Sequence, residues 1–143
     1  MYWKEPPQDF NPTQEAVSCF IECKGEILML LRQDHKSYGN TWGAPAGKKE
    51  KNEEINNAII REVKEETGLD ISQKEFKWCK KMYVRYPEND FIYHIFHLIL
   101  EEKPEIKIRL EEHKEAKWLT PKEWLNYPLI LDEDNSIKDF YNL

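Results

Sequence analysis

Residues 47–69 read GKKEKNEEINNAIIREVKEETGL, and this stretch decides how the rest of the chain is interpreted. From position 53 to position 67 the apolar side chains fall at helical spacing, and Gly68 stands where a helix stops. At ~100° per residue, Ile55, Ile59 and Val63 form one stripe. Glu66 continues that stripe one turn later, with Glu62 and Glu65 flanking it. Three carboxylates thus crowd one arc, beside the face that should pack on a core. Like charges at such spacings repel by roughly 0.2–0.5 kcal/mol when exposed, and by more when partly buried. A solvated helix would alternate them with lysine, so something has to neutralise the cluster. A hard divalent cation does this: Mg²⁺ takes oxygen ligands in near-octahedral geometry and keeps several waters. Taken by itself, the helix is equally well read as a Glu-rich surface element paired with Arg61 and Lys64.

The preceding loop separates the two readings. In Trp42-Gly43-Ala44-Pro45-Ala46-Gly47-Lys48-Lys49-Glu50, glycine and proline exclude a regular helix and leave backbone groups open to a ligand. The lysines suit phosphate oxygens on the far side of a metal. The whole segment is Gly47, five residues, Glu53, seven residues, then Arg61-Glu62-Val63-Lys64-Glu65-Glu66-Thr67-Gly68-Leu69. This resembles the signature of the Nudix hydrolase family, which is Gly, five of any, Glu, seven of any, Arg-Glu-aliphatic-any-Glu-Glu-any-Gly-aliphatic. Every specified position is matched, and looser likeness extends over about residues 17–125.

The resemblance implies an α/β/α sandwich around a mixed β-sheet. It implies metal-dependent hydrolysis of a pyrophosphate bond in a nucleoside diphosphate linked to another group. By the same resemblance Glu62, Glu65 and Glu66 are metal ligands, with the Gly47 carbonyl as a further one, and Arg61 and Glu53 form an internal ion pair that orients them. The run Leu110-Glu111-Glu112-His113-Lys114-Glu115-Ala116-Lys117-Trp118-Leu119 is similar to the Glu-His segment that many members carry before a Trp-Leu strand. Glu112 matches its glutamate, which lies across the site and binds metal or acts as base. The general base stays open among Glu62, Glu65 and Glu112. Arg32 and Lys48 match phosphate contacts. Tyr86 and the run Ile108-Arg109-Leu110 resemble members that hydrolyse dinucleoside polyphosphates, whereas the Glu-His segment also occurs in nucleoside triphosphate pyrophosphohydrolases. Both substrate classes stand. The implied cofactor is Mg²⁺, with Mn²⁺ as the alternative. Two positions depart from common family usage: Ala46 where a glycine is frequent, and Asn52 where glycine often precedes the first box glutamate. Asparagine tolerates left-handed backbone better than most residues. A competing reading is a non-catalytic nucleotide-binding or regulatory module on the same fold. Such modules usually lose box glutamates, and this chain keeps all of them. An isomerase of isoprenoid diphosphates would need a catalytic cysteine motif that Cys19, Cys23 and Cys79 do not form.

The remaining sequence fits this frame. A chain of 143 residues suits one domain, residues 1–143, and 40% apolar content suffices for a core. Lys plus Arg number 21 against 27 Asp plus Glu, giving −6. Such a chain offers phosphate no general attraction, so a small-molecule nucleotide is expected and a nucleic acid is not. No run approaches the ~20 apolar residues that span a bilayer, and the first residues lack a secretory pattern. The odd cysteine count with no paired spacing reads as reduced thiols. The expectation is a cytoplasmic protein, monomer or homodimer, without membrane contact.

Alternation and turn residues predict strands over 15–23, 27–31, 76–86, 91–100 and 116–119, with 27–31 buried on both faces. Thr120-Pro121-Lys122-Glu123 reads as a capping box, and Ile137, Phe140 and Tyr141 as a terminal amphipathic helix. The class is α/β in the broad, α+β sense. Tyr83, Tyr86, Phe91 and Tyr93 are candidate base-stacking rings. His94 and His97 have opposite strand parity, so one faces the core; neither is assigned a catalytic role.

Overall fold

Lys24 and Gly25 take left-handed backbone, at φ 52° and 80°, and reverse the chain between its two central strands. In the computed structural model, which describes residues 1–143, these strands are the second and third of eight. The order is β1 (Tyr2–Trp3), β2 (Pro12–Cys23), β3 (Glu26–Arg32), β4 (Trp42–Gly43), β5 (Ala46–Lys48), α1 (Ile55–Thr67), β6 (Lys77–Arg85), β7 (Asp90–Leu100), β8 (His113–Leu119), α2 (Pro121–Trp124) and α3 (Glu133–Tyr141). The sheet runs β1-β6-β7-β2-β3-β4, with β5 added on β2 and β8 on β3. β2 and β7 pair in parallel and every other pair is antiparallel. The sheet is therefore mixed, as expected.

Strand alternation sorts the core into two layers. Val17, Cys19, Ile21, Leu28, Leu30, Phe96 and Leu98 face α1 and meet Ala58, Ile59 and Val63. Phe20, Ile27, Met29, Met82 and Ile95 face the other way and meet Trp42, Trp124 and Ile137. Both faces of β3 are covered, which is why its run of apolar residues is continuous. α2 is a single turn fixed by its ends. Thr120 Oγ1 accepts from the Glu123 N–H at 3.2 Å while the Glu123 carboxylate accepts from the Thr120 N–H at 3.0 Å. The buried Trp124 indole then donates to the Ile27 carbonyl at 3.0 Å.

A split in the sheet positions everything that follows. β2 and β3 pair only at Glu22↔Ile27 and Cys23↔Glu26. Beyond that they diverge, and the 42–48 segment fills the gap. β4 pairs with β3 through Leu31↔Trp42 and Leu30↔Gly43, and β5 pairs with β2 through Ala16↔Lys48, Val17↔Gly47 and Ser18↔Ala46. The glycine loop is thereby a wedge between two central strands.

Several expectations shift. The helix starts at Ile55 rather than 53, because Asn52 takes left-handed backbone (φ 64°) and the Glu53 side chain turns back to accept from the Glu50 N–H at 2.9 Å. β8 begins at His113, three positions before the expected 116, which brings Glu112 to its threshold. β1, β4 and β5 span two or three residues, too few for a period to register. Tyr83 packs on Phe10, with ring centroids 5.4 Å apart, and is absent from the cavity that Tyr86, Phe91 and Tyr93 line. Cys19 and Cys23 are buried, Cys79 is half-buried, and all three are free. His94 bonds Glu15 at 2.7 Å and accepts from the Trp78 indole, while His97 bonds Glu22 and packs on Phe140, so both histidines are occupied. No helix is long and apolar enough to cross a membrane.

The layering makes Ile59 a sensitive probe of how α1 sits. Ile59→Ala should lower unfolding free energy in urea by about 2–5 kcal/mol, as for other fully buried large-to-small changes. A loss near zero would mean that α1 does not dock on the sheet through this face.

Candidate active site

The stripe that docks α1 continues past its apolar residues: Glu62 and Glu66 are 9% and 6% exposed and Glu65, off the stripe, is exposed. Glu66 Oε1 accepts from the Ala46 N–H at 2.8 Å, which ties the helix to the wedge. The Glu62 carboxylate lies directly over Gly47, where any Cβ would collide with it. A side chain there would have to push the Glu62 carboxylate aside; φ is unremarkable, and the missing side chain is what leaves Glu62 its place. Burial pushes the Glu66 carboxyl well up, opposed by its bond to Ala46 and reinforced by Glu62 and Glu112. Burial also raises Glu62, opposed by Arg61 and reinforced by Glu65 and Glu112. Glu112 therefore does sit close enough to the helix carboxylates to repel them.

Arg61 is the hub of the loop–helix junction. Its Nε and Nη2 donate to the two oxygens of Glu53, both at 2.9 Å. Nη2 also donates to the Lys48 carbonyl at 3.0 Å and Nη1 to Glu62 Oε1 at 2.8 Å. The guanidinium holds Glu53 down to about 2. One side chain thus joins the loop (Lys48), the residues before α1 (Glu53) and the helix (Glu62).

Glu112 and His113 approach from the opposite wall. A ligand atom of Glu66, one of Glu112 and one of His113 all lie within 4.8 Å of one another. The His113 side chain is buried and its Nδ1 has no hydrogen-bond partner. Burial, then the nearby Arg32, pushes its ring down to about 4, so it is neutral at physiological pH. Buried, mutually repelling carboxylates, an orphaned imidazole nitrogen and a glycine cradle form a donor set that fits a divalent cation.

Of these groups Gly47, Glu66 and His113 open into one cavity of about 360 Å³, which Arg32, Lys48 and Tyr86 also line. Arg32 is anchored by its Nε to the Ser37 carbonyl at 2.9 Å. Tyr86 is less free than its sequence position suggests. Its hydroxyl donates to the Leu131 carbonyl at 2.9 Å and its ring packs between Tyr38 and Phe91. Among the lining residues that the sequence reading did not single out, one is a buried acid. Glu133, the first residue of α3, is 4% exposed, accepts from the Ala44 N–H at 2.6 Å, and is pushed up to about 7 by burial. In the sequence it is the middle of Asp132-Glu133-Asp134, which reads as solvated charge at a helix start. Nothing local marks it as the inward one.

A family model described as "NUDIX domain" matches residues 12–140. A CTP pyrophosphohydrolase from Escherichia coli (strain K12) is 30% identical over 117 residues, covering 80% of this chain and 82% of that protein. Nudix hydrolase 2 of Arabidopsis thaliana is 26% identical over 139 residues, 91% of this chain but 49% of the plant protein, so the chain spans only about half of that relative. The crystal structure of a MutT protein from Methanosarcina mazei Go1 superposes with a TM-score of 0.78 at 21% identity, covering 92% of this chain and 94% of that one.

Two outcomes follow from the geometry. Gly47→Ala should displace Glu62 and cut any hydrolytic turnover by roughly 100-fold or more while far-UV circular dichroism stays unchanged; full activity would show that the Glu62–Gly47 contact is dispensable. For Glu133, a carboxyl whose pKa is raised by folding contributes stability below its unfolded value, near 4.5, and loses it as pH rises through about 7. Glu133→Gln should therefore match the parent near pH 5 and exceed it near pH 8, by roughly 1.4 kcal/mol for each pH unit titrated between the two values. Parallel urea-unfolding profiles from pH 5 to 8 would mean that Glu133 is hydrated.

Proposed function

The chain belongs to the Nudix hydrolase family, whose members cleave pyrophosphate bonds, and on that premise we propose that it is a divalent-cation-dependent nucleoside triphosphate pyrophosphohydrolase. One observation carries the substrate class: Glu66, Gly47 and His113 on one side and a ring-lined pocket on the other are walls of a single cavity whose volume, about 360 Å³, suits one nucleoside. A dinucleoside polyphosphate would leave its second nucleoside outside. Tyr86, the residue that favoured such substrates, is already committed to Tyr38, Phe91 and Leu131. The relationship to a bacterial CTP pyrophosphohydrolase supports the same choice.

In this reading Glu62, Glu65, Glu66, Glu112 and the Gly47 carbonyl are the groups available to hold the cation, Mg²⁺ or Mn²⁺. When bound, such an ion offsets the charge of the pyrophosphate oxygens and acidifies the attacking water. Everything else is done by the chain. Arg32 and Lys48 meet the phosphates, where their charge favours the more anionic transition state. Arg61, locked to Glu53, fixes the rotamer of Glu62 and the path of the glycine loop. Glu62 already accepts from Arg61, so the water's proton passes to Glu65 or Glu112. Phe91 and Tyr93 flank the base, and Glu133 meets its polar edge. The products are a nucleotide and a phosphate or pyrophosphate.

Glu66→Gln is the decisive variant, because it keeps shape and hydrogen bonding while removing charge. Turnover of nucleoside triphosphates with Mg²⁺ should fall by roughly 10²–10⁴-fold. The melting temperature should hold or rise, since a buried carboxylate is lost. Undiminished turnover would remove Glu66 from the machinery. Substrate choice is settled by chromatography of products from triphosphates against dinucleoside polyphosphates. Preferential cleavage of the latter would refute the one-nucleoside reading.

A further inference from the structure

The cation site has been assigned oxygen donors throughout, yet the tightest grouping of possible ligands contains a nitrogen. Among the glutamates, Glu66 and Glu112 share a 4.8 Å neighbourhood with a ring nitrogen of His113, whereas Glu62 is held by Arg61 and Glu65 is exposed. Octahedral bonds of about 2.1 Å put ligand atoms about 3.0 to 4.2 Å apart, so modest side-chain rotation brings this trio onto one ion. Resting on the family reading above, we propose that His113 is a direct ligand of the catalytic cation, so that the site is a mixed Glu66–Glu112–His113 set that takes a first-row transition ion such as Mn²⁺ in preference to Mg²⁺.

The backbone explains how two consecutive residues both come within reach of Glu66. In a regular strand Glu112 and His113 would point to opposite faces. Here the N–H groups of both converge on the Arg109 carbonyl, at 3.0 and 2.9 Å, which coils the chain just before β8. The ladder with β3 then slips: Arg32 pairs with His113 but Leu31 with Glu115, leaving Lys114 as an extra residue. A bulge of this kind re-aims side chains, and it puts the imidazole on the cavity wall, with a ring nitrogen within 4.8 Å of Glu112 and Glu66 carboxylate oxygens. An imidazole buried to 95% is normally satisfied at both nitrogens, yet Nδ1 has no partner in the protein. Its lone pair is the kind of donor that Mn²⁺, Co²⁺ and Zn²⁺ accept readily and Mg²⁺ accepts poorly.

Pulsed electron paramagnetic resonance on the intact chain loaded with one equivalent of Mn²⁺ tests this without reference to turnover. The bound ion should show ¹⁴N coupling of a directly ligated imidazole. Isotopic labelling of all four histidines with ¹⁵N should convert the signal, and of these only His113 lies in the site. His113→Gln should abolish the coupling and weaken Mn²⁺ binding about tenfold or more, with Mg²⁺ binding little changed. Labelling of the unaltered chain keeps the test independent of whether the variant folds. Bound Mn²⁺ without nitrogen coupling, or coupling that survives His113→Gln, would overturn the assignment while leaving the family reading intact. No Mn²⁺ binding of any kind would overturn both the assignment and the proposed cation dependence.

Discussion

The structure turns on two carboxylates that are folded where carboxylates are costly. Glu62 and Glu66 occupy the same helical stripe as Ile59 and Val63, so docking the helix on the sheet necessarily carries them inward. Desolvating an ionised carboxylate is unfavourable by several kcal/mol unless opposite charge or strong donors replace the water. The surrounding arrangement supplies part of that replacement. Ala46 donates its N–H to Glu66, Arg61 donates to Glu62, and Gly47 vacates the space the Glu62 carboxylate fills. What remains unbalanced, with Glu112 adding a further negative charge, is the attraction a divalent ion would answer.

The wedge explains why these groups meet. Had β2 and β3 stayed paired along their length, the 42–48 loop would have lain outside the sheet and its glycine could not have reached the helix. Divergence after two residue pairs lets β5 join β2 beneath α1, and lets the Glu133 carboxyl take the Ala44 N–H from the other layer. The loop is therefore gripped from both sides of the sheet by acidic side chains, one at Ala44 and one at Ala46.

Much of this was legible in the sequence and some was not, for physical reasons. The central helix, the buried strand 27–31 and the capping box at Thr120 announce themselves through local periodicity and local hydrogen bonding. Asn52 was correctly read as a place where left-handed backbone is tolerable. The helix start was misjudged because Glu53, a good helix former, is used as a tether to Arg61 instead. β4 and β5 escaped because two or three residues carry no period; their pairing is decided by the split between distant strands. Tyr83 stands opposite Ile92 and packs on Phe10, on the other face of the sheet from Tyr93, which stands opposite Met82, and that register is set between strands rather than within one. Glu133 escaped because its burial is a tertiary event, imposed by where α3 lands and not by its acidic neighbours. The pairing of the box with Glu112 was suggested by resemblance alone; the coil and bulge ahead of β8 are what bring it across.

The groups proposed for hydrolysis and those proposed for recognition reside on separate parts of the framework. The carboxylates and Arg61 belong to α1, the wedge and the start of β8, while Phe91, Tyr93 and Glu133 belong to β7 and α3. The hydrogen bond from the Ala44 N–H to Glu133 joins the two. Exchange of Phe91 or Tyr93 removes none of the hydrogen bonds that space the first group, whereas exchange of Glu133 alters the grip on the loop at Ala44. If the proposed roles hold, a lineage built on this plan is free to drift from one nucleotide to another through its rings, each intermediate keeping the same cutting apparatus.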